Sequence, residues 1–200
     1  MKIILASTSP YRKALLEKLQ IPFETSPPDI DESPLENESA VALVERLSIA
    51  KAKKIADDYS NALIIGSDQV AVIDNQILGK PGNFETATKQ LKSLSSKTVI
   101  FYTGLCLLNT KTTNIKSDVV PFEVKFRSLK DSWISHYLQK DQPYNSAGSF
   151  KSEGLGIALF EELRGNDPNT LVGLPLIRLI DMLAKEGFEV LDQLQATLFT

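Results

Sequence analysis

The sequence has few of the residues that build the commonest metal and nucleophile sites. It contains one cysteine and one histidine in 200 residues, so these residues form no internal disulfide, and they supply neither a Cys/His zinc site nor a three-histidine site. The cysteine, Cys106, lies in an apolar predicted strand, where we expect it to be buried. His136 lies on a short predicted amphipathic helix, away from the other polar clusters, and is interpreted as a surface or packing residue. Acid–base chemistry is therefore expected to depend on carboxylates.

Other absences limit the partners and the location. No apolar run approaches about 18 residues, so no membrane-spanning helix is expected. The N-terminus enters a predicted strand at once, without the layout of a signal peptide, and a single cysteine suits a reducing compartment. We therefore expect a cytoplasmic protein that binds no membrane. The net charge of -3 gives no overall basic field for a nucleic acid polymer, so any polyanion must be bound by a local cluster of cations.

The composition is that of a soluble globular protein, with 42% hydrophobic and 24% charged residues. The length allows one large domain or two small lobes around a shared cleft, and we assign 1–191 to a single domain and 192–200 to a tail. Patterns of apolar residues predict helices alternating with strands at first and strands joined by short connections later, which indicates an α/β fold with a mixed sheet. The predicted strands are 2–6, 62–73, 97–109 and 115–127, with a strand, a glycine-rich turn and another strand over 146–163, and the predicted helices are 10–19, 39–58, 84–95, 130–140 and 174–187.

The opening stretch LASTSPYRKALLEKL, residues 5–19, places two cations in the first turn of a predicted helix. Ser9 is predicted to cap this helix and Pro10 to occupy its first position. Basic side chains are locally unfavourable there, because the helix dipole is positive at that end. Backbone N–H groups at a helix N-terminus, together with Arg12 and Lys13, would bind a phosphate. The alternative is an exposed helix with incidental basic residues.

Lys51 breaks the pattern of the predicted helix 39–58. It follows Val44 and Leu47 at a spacing that places it on the apolar stripe of the helix. Two interpretations remain open at this point. Its stem could cover apolar surface while the ammonium stays in water, or the ammonium could point to the rim of a cleft.

Asp68 breaks the pattern of the strand ALIIGSDQVAVI, residues 62–73. A carboxylate in so apolar a strand is costly unless it is paired, hydrogen-bonded or bound to a metal, so we favour a functional role over a solvent-facing strand end. Gly66 indicates a bulge or a close approach of another backbone. In a regular strand Asp68 and Gln69 would face opposite sides.

Acidic residues elsewhere supply further candidates. The loop containing Asp29, Asp31 and Glu32 and the strand containing Asp68 could each offer an oxygen to a hard cation, and Mg²⁺ commonly uses one or two carboxylates plus substrate phosphate oxygens. Lys80 adds another cation before a predicted helix. Cations for phosphate, together with carboxylates for a metal and a base, suggest metal-assisted attack on a phosphoanhydride. A solvated acidic loop is the alternative.

The motifs together resemble those of the Maf family of nucleoside triphosphate pyrophosphatases, over roughly residues 2 to 190. Any one of them is weak evidence, but their combination and order are specific. They are LASTSPYRKALLEKL, DIDES, RLSIAKA, IIGSDQV, GKP, FYTG, SAGSFKSEG and NDPNTLVGLPL.

The resemblance implies a fold, a reaction and a set of roles. The fold would have two lobes around a deep nucleotide cleft, similar to the inosine triphosphate pyrophosphatases. The reaction would split the α–β phosphoanhydride with a divalent cation, Mg²⁺ or Mn²⁺. Asp68 matches the family's proton acceptor, and Glu32 and Asp68 match the positions near the metal. The positions that match the triphosphate site are Ser7, Arg12, Lys13, Lys51 and Lys80.

Substrate preference in the family is associated with positions that match Tyr11, Gln69 and Glu153. This set resembles the branch that acts on 7-methyl-GTP, whose methylated guanine is cationic and would favour an aromatic face and a carboxylate.

The resemblance also suggests a homodimer. Alternatives are a pyrophosphatase for dTTP, UTP or other modified nucleotides, a nucleotidyltransferase, and a nucleotide-binding regulator of cell division that acts by contacting a partner.

Overall fold

The computed structural model describes residues 1–193, and its elements alternate as the apolar patterns predict. The strands are β1 (Lys2–Ala6), β2 (Glu24–Ser26), β3 (Ala62–Ile73), β4 (Gln76–Leu78), β5 (Thr98–Asn109), β6 (Asn114–Phe126) and β7 (Phe160–Arg164). The helices are α1 (Pro10–Glu17), α2 (Ala40–Lys54), α3 (Phe84–Leu94), α4 (Asp131–Asp141), α5 (Asn169–Val172), α6 (Leu176–Ala184) and α7 (Val190–Gln193). Short 3₁₀ turns cover Ala56–Asp58, Ala147–Ser149 and Leu155–Leu159.

The seven strands form one mixed sheet in the order β2-β1-β3-β5-β6-β7, with β4 paired to β3. The mixed α/β fold expected from the sequence is confirmed. The chain divides into two compact units, which consist of residues 1–69, 103–120 and 167–200 in the first and residues 70–102 and 121–166 in the second. The assignment of 1–191 to a single domain stays a prediction.

In the first unit, β1 pairs in parallel with β2 and β3, and alternate side chains enter two apolar cores. Ile3 and Leu5 pack in a core with α1 and α6, whereas Ile4 and Ala6 pack in a core with Ala52 of α2. Because successive strand residues face opposite sides, helices cover both faces of this part of the sheet. This burial explains why β1 and the start of β3 are continuously apolar.

Two glycines let α2 lie unusually close to the strands. A Cβ atom at Gly66 of β3 would lie 2.0 Å from the Ser48 carbonyl oxygen, and one at Gly104 of β5 would lie 2.1 Å from the Val44 carbonyl oxygen. Both oxygens belong to the backbone of α2, which cannot move aside like a flexible side chain. Of the two alternatives that Gly66 indicated, a bulge or a close backbone approach, the close approach is confirmed, and it sets the distance of α2 from the sheet.

The second unit contains the antiparallel pairs β3–β4 and β6–β7 together with α3 and α4. Its core includes four phenylalanine rings in edge-to-face contact. The ring centroids lie 5.1 to 5.5 Å apart, a geometry that the electrostatics of aromatic rings favour. These rings are Phe101, Phe126, Phe150 and Phe160.

The strand predicted at the start of 146–163 is wrong. Gly148 and Ser149 have φ angles of 75° and 65°, in the left-handed region, which interrupts a strand. A 3₁₀ turn covers Ala147–Ser149 instead, and β7 is the strand that the structure describes within this stretch. Cys106 is buried and His136 exposed, as expected. Within residues 1–193 no helix is long and apolar enough to cross a membrane. Of the predicted tail, residues 192 and 193 belong to α7 and the remainder lies outside the described residues.

Candidate active site

A buried lysine joins two carboxylates in the first unit. The Nζ atom of Lys51 lies 2.6 Å from Oδ1 of Asp68 and 2.8 Å from Oε1 of Glu32. Lys51 is 5% exposed and Asp68 7% exposed, whereas the Glu32 side chain is largely exposed. Burying an unpaired charge would be costly, so this arrangement explains how the apolar stripe of α2 and the apolar strand β3 each tolerate an ionisable residue.

The predicted position of Lys51 on the apolar stripe is correct, and it points the side chain at the sheet. Leu43, Val44 and Leu47 are buried on the same side of α2. Because Gly66 admits the helix closely, the Lys51 ammonium reaches β3 two residues further along, at Asp68. Of the two interpretations left open for Lys51, the structure supports an ammonium held by carboxylates over one immersed in water.

The loop that presents Glu32 is fastened to the same helix. Arg46 of α2 donates from Nε to Oε1 of Glu38 at 2.6 Å and from Nη2 to Oε2 at 2.7 Å. Its Nη2 also donates to the Ser33 carbonyl oxygen at 3.1 Å. The pKa of Glu38 is lowered to about 2, mainly by the hydrogen bonds from Arg46 and to a smaller extent by the hydrogen bond from the Leu35 N–H. This two-point contact of a guanidinium with a carboxylate is geometrically specific, and it orders the acidic loop beside Lys51.

Arg12 adds a second cation near the carboxylates. Ser9 caps α1 and Pro10 begins it, as predicted. The Arg12 side chain is half-buried, and its Nε donates to the Gly173 carbonyl oxygen at 2.9 Å. Desolvation lowers the pKa of Arg12, while the charges of Asp68 and Glu32 oppose this shift. Since Nε is engaged, the outer nitrogens of the guanidinium are the ones available to a phosphate.

Gly173 holds Arg12 from the end of α5. Its φ angle of 109° lies in the left-handed region, which glycine adopts without strain. The same carbonyl accepts a hydrogen bond from Ser67 Oγ at 2.9 Å, and a Cβ atom at Gly173 would lie 3.4 Å from Arg12 Nε. One turn of backbone thereby fixes the direction of the arginine side chain.

Gln69 faces the other side of β3 from Asp68, as the strand geometry predicts. Its Nε2 donates to Thr103 Oγ1 at 2.8 Å and to the Thr170 carbonyl oxygen at 2.7 Å, with a longer contact of 3.3 Å to the Leu171 carbonyl oxygen. Asp68 instead meets Lys51 of α2. The two neighbouring residues therefore belong to different hydrogen-bond networks.

Three other predicted site residues of the first unit are either hydrogen-bonded or paired with near neighbours in the chain, or exposed to solvent. Ser7 is buried and its Oγ accepts a hydrogen bond from the Ser9 N–H at 3.1 Å. Tyr11 is 42% exposed, so part of its ring is open to solvent. Lys13 is exposed, with its Nζ atom 3.9 Å from Oε1 of Glu17 on the next turn of α1. Of the predicted residues, Lys51, Asp68 and Glu32 are in direct contact, and the charges of Asp68 and Glu32 act on Arg12.

Two predicted residues belong to the second unit. Lys80 is exposed in the loop between β4 and α3. Glu153 is exposed, and Oε2 accepts a hydrogen bond from Ser152 Oγ at 3.3 Å. Their assignment to phosphate and base recognition stays a prediction.

The two carboxylates of this cluster are of the ligand type that the predicted metal prefers. Within residues 1–193 no group of three or more histidine, cysteine, aspartate or glutamate side chains could hold a metal ion. Glu32 and Asp68 nevertheless bring two carboxylates to one ammonium. Mg²⁺ commonly binds through one or two carboxylates and completes its shell with phosphate oxygens and water, so this pair is compatible with a cation that arrives with a triphosphate.

Sequence reasoning missed the residues that hold the functional side chains in place. Arg46, Ser67 and Thr103 had no assigned role, although they lie in the quoted motifs RLSIAKA, IIGSDQV and FYTG. The carbonyl groups of NDPNTLVGLPL were equally unassigned. Backbone acceptors carry no side-chain signature, so only the fold reveals them.

The sequence is similar to known proteins along almost its whole length. The family model described as "Maf-like protein" matches residues 2–186. A protein of Colwellia psychrerythraea named 7-methyl-GTP pyrophosphatase is 55% identical over 191 residues, which are 96% of this chain and 96% of that protein. A protein of Alcanivorax borkumensis with the same name is 57% identical over 188 residues, which are 94% of this chain and 95% of that protein.

A solved structure of a HAM1 protein from Coxiella burnetii aligns with a TM-score of 0.47 and 18% identity, over 63% of this chain and 73% of that chain. This likeness is too low to carry an argument about function. The family model covers nearly all of the described residues, and the two relatives share more than half of their residues with this chain along almost its whole length. The chain therefore belongs to the Maf family.

Proposed function

We propose that this protein hydrolyses 7-methyl-GTP at the α–β phosphoanhydride and releases 7-methyl-GMP and pyrophosphate. The observation that carries the proposal is the buried Asp68, held by Lys51 beside Glu32 and near Arg12. A carboxylate base and two cations within one small cluster suit attack on an anionic phosphoanhydride. The name shared by the relatives at 55% and 57% identity supports the choice of substrate.

Arg12 and Lys51 would bind the triphosphate. Arg12 offers the outer nitrogens of a guanidinium whose Nε is already fixed, a geometry that matches phosphate oxygens. Lys51 offers a buried ammonium, and phosphate oxygens would compete with Asp68 and Glu32 for it. We assign supporting phosphate contacts to Ser7, Lys13 and Lys80 by their match to the family.

Asp68 would act as the proton acceptor. As the oxygen of a water molecule bonds to the α phosphorus, that water loses a proton to the Asp68 carboxylate. The bond to the oxygen that bridges the α and β phosphates breaks, and pyrophosphate leaves with the electron pair. Arg12 and Lys51 stabilise the negative charge that develops on the phosphate oxygens.

We propose Glu32 and Asp68 as ligands of a divalent cation, Mg²⁺ or Mn²⁺. When bound, the cation supplies charge neutralisation at the phosphates. The two side chains offer only oxygen atoms, the ligand type that Mg²⁺ prefers. Arg46 supports this role of Glu32 by ordering the part of the loop that follows it, at Ser33 and Glu38.

Base preference would depend on Tyr11, Gln69 and Glu153. The exposed part of the Tyr11 ring offers a face to the cationic 7-methylguanine ring. The Glu153 carboxylate offers acceptors for the N–H donors of guanine. The family resemblance also supports a homodimer, and the single buried cysteine suits a reducing compartment such as the cytoplasm.

The test is a set of nucleotides incubated with purified protein and Mg²⁺ or Mn²⁺, with pyrophosphate and inorganic phosphate measured separately. We expect pyrophosphate and 7-methyl-GMP in equal amounts from 7-methyl-GTP, at a higher kcat/KM than from GTP, UTP or dTTP. Release of inorganic phosphate instead would overturn the assignment of the bond. Binding of nucleotides without turnover would favour a nucleotide-binding regulator.

A further inference from the structure

The side-chain amide of Gln69 is held on one side by three acceptors of the first unit. Both N–H groups are used, since Nε2 lies 2.8 Å from Thr103 Oγ1 and 2.7 Å from the Thr170 carbonyl oxygen. Thr103 Oγ1 in turn donates to the same Thr170 carbonyl at 3.1 Å, so its own proton is engaged and its lone pairs face the amide. Thr103 is fully buried, so its hydroxyl is shielded from solvent.

This network fixes which way round the amide lies. If the amide were turned over, its oxygen would face the carbonyl oxygens of Thr170 and Leu171, and two acceptors cannot hydrogen-bond to each other. With Nε2 fully engaged, Oε1 is the amide atom that remains to meet a ligand. Gln69 is partly exposed, so it can present this acceptor at the surface of the first unit.

We propose that Thr103 is a positioning residue for nucleobase selection, which holds Gln69 so that its Oε1 accepts an N–H group of the base. This inference rests on the proposed function. Gln69 then selects bases by their donors. Guanine and 7-methylguanine present N–H donors on the edge where adenine presents an unprotonated ring nitrogen. Oε1 accepts a hydrogen bond from an N–H donor and repels the lone pair of the adenine ring nitrogen.

The proposal distinguishes two ratios of kcat/KM. Guanine and 7-methylguanine carry the same N–H donors on this edge, and the methyl group changes the other edge, at N7. Gln69 and Thr103 therefore contribute to the preference for 7-methyl-GTP over ATP and not to the preference for 7-methyl-GTP over GTP. Removing the Thr103 hydroxyl leaves the amide with the Thr170 carbonyl at 2.7 Å and the longer contact to the Leu171 carbonyl at 3.3 Å. The side chain is then held from one direction only, and the position of Oε1 is less tightly fixed.

The experiment compares three variants with the wild type. Thr103→Val removes the hydroxyl, and Thr103→Ser keeps it. Thr110→Val is the matched control, because the Thr110 hydroxyl also makes two hydrogen bonds, to the Ala62 N–H and carbonyl at 2.8 Å and 3.3 Å, and touches neither Gln69 nor its partners. For each protein kcat/KM is measured with 7-methyl-GTP, GTP and ATP, and the fold is checked by circular dichroism.

Thr103→Val should lower the 7-methyl-GTP to ATP ratio about 2- to 12-fold, the range expected for the loss of one hydrogen bond. The 7-methyl-GTP to GTP ratio should stay unchanged, Thr103→Ser should restore the first ratio, and Thr110→Val should leave both ratios at the wild-type level. An unchanged 7-methyl-GTP to ATP ratio in folded Thr103→Val, or an equal fall in Thr110→Val, would overturn the inference. A wild type that releases no pyrophosphate would overturn the proposed function and the inference with it.

Discussion

The ammonium nitrogen of Lys51 lies 2.6 Å from Oδ1 of Asp68, although the residues come from helix α2 and strand β3. Both side chains are buried, and removing one partner of such a pair commonly costs more than the pair contributes, because the other charge is left unpaired. The pair therefore explains why an apolar helix face and an apolar strand each keep a charged residue. It also places an ammonium next to the carboxylate that we propose as the base.

The closeness of α2 to β3 gives the first prediction. Gly66→Ala places a methyl group 2.0 Å from the Ser48 carbonyl oxygen, so the helix must shift and carry Lys51 away from Asp68. Overpacking of this kind costs about 1–3 kcal/mol, occasionally more. We expect a lower midpoint of thermal unfolding and a lower kcat. The control is Gly79→Ala, where nothing lies within 4 Å of the new methyl group, and equal effects of the two substitutions would contradict the close-contact explanation.

Arg12 and Lys13 are adjacent cations with different surroundings, which gives the second prediction. Arg12 is held by Gly173 near Asp68 and Glu32, whereas the Lys13 ammonium is 3.9 Å from Glu17. A charged hydrogen bond contributes about 1.5–3 kcal/mol, so Arg12→Ala should weaken binding of 7-methyl-GTP, GTP and UTP by similar factors of about 10 to 150. Lys13→Ala should have a smaller effect. Loss confined to one base would show that Arg12 reads the nucleobase.

The exposed ring of Tyr11 gives the third prediction, which concerns the choice between 7-methyl-GTP and GTP. If it stacks on a cationic 7-methylguanine, Tyr11→Leu should reduce the kcat/KM ratio of 7-methyl-GTP to GTP, and Tyr11→Trp should keep or raise it, because tryptophan is the better partner for a cation. Cation–π contacts contribute about 0.5–2 kcal/mol, so the expected loss is about 2- to 30-fold. Equal ratios in the leucine and tryptophan variants would exclude stacking on the charged ring.

Much of the site follows from local patterns, and its assembly does not. The position of Lys51 on the stripe of α2 follows from helix periodicity. Asp68 and Gly66 stand out by residue type within an apolar strand, and the sequence displays both signals. The pairing of Arg46 with Glu38 is different, because a charge on an exposed helix has many possible partners and only the course of the acidic loop selects one.

Backbone geometry explains the remaining differences. The strand predicted near Gly148 and Ser149 is absent because both residues have positive φ angles, and residue type alone indicates such an angle only for the glycine. The carbonyl groups that hold Arg12 and Gln69 belong to Gly173 and Thr170. Every residue has a backbone carbonyl group, so only the turn at α5 determines that these two carbonyls point at Arg12 and Gln69.

The anchor of the acidic loop gives a prediction about pH. Arg46 and the Leu35 N–H hold the pKa of Glu38 at about 2, below the usual 4.5. A depressed pKa in the folded state contributes stability that is present above pH about 4.5 and is lost as the pH falls towards about 2. Carboxyl carbon chemical shifts followed from pH 7 to 2 should give Glu38 a midpoint near 2, and Arg46→Gln should return it towards 4.5. A midpoint near 4.5 in the wild type would show that the contact does not persist in solution.

The most direct measurement is pyrophosphate release from 7-methyl-GTP by Asp68→Asn beside the wild type, with nucleotide affinity measured on both. The amide keeps the size of the carboxylate but accepts no proton, and loss of a general base commonly lowers the rate by about 10²–10⁴. Asp74→Asn is the control, since Asp74 forms an exposed ion pair with Lys97. We predict that Asp68→Asn retains nucleotide affinity and loses at least about 10² in kcat, while Asp74→Asn matches the wild type. Near-wild-type turnover by Asp68→Asn would contradict the account.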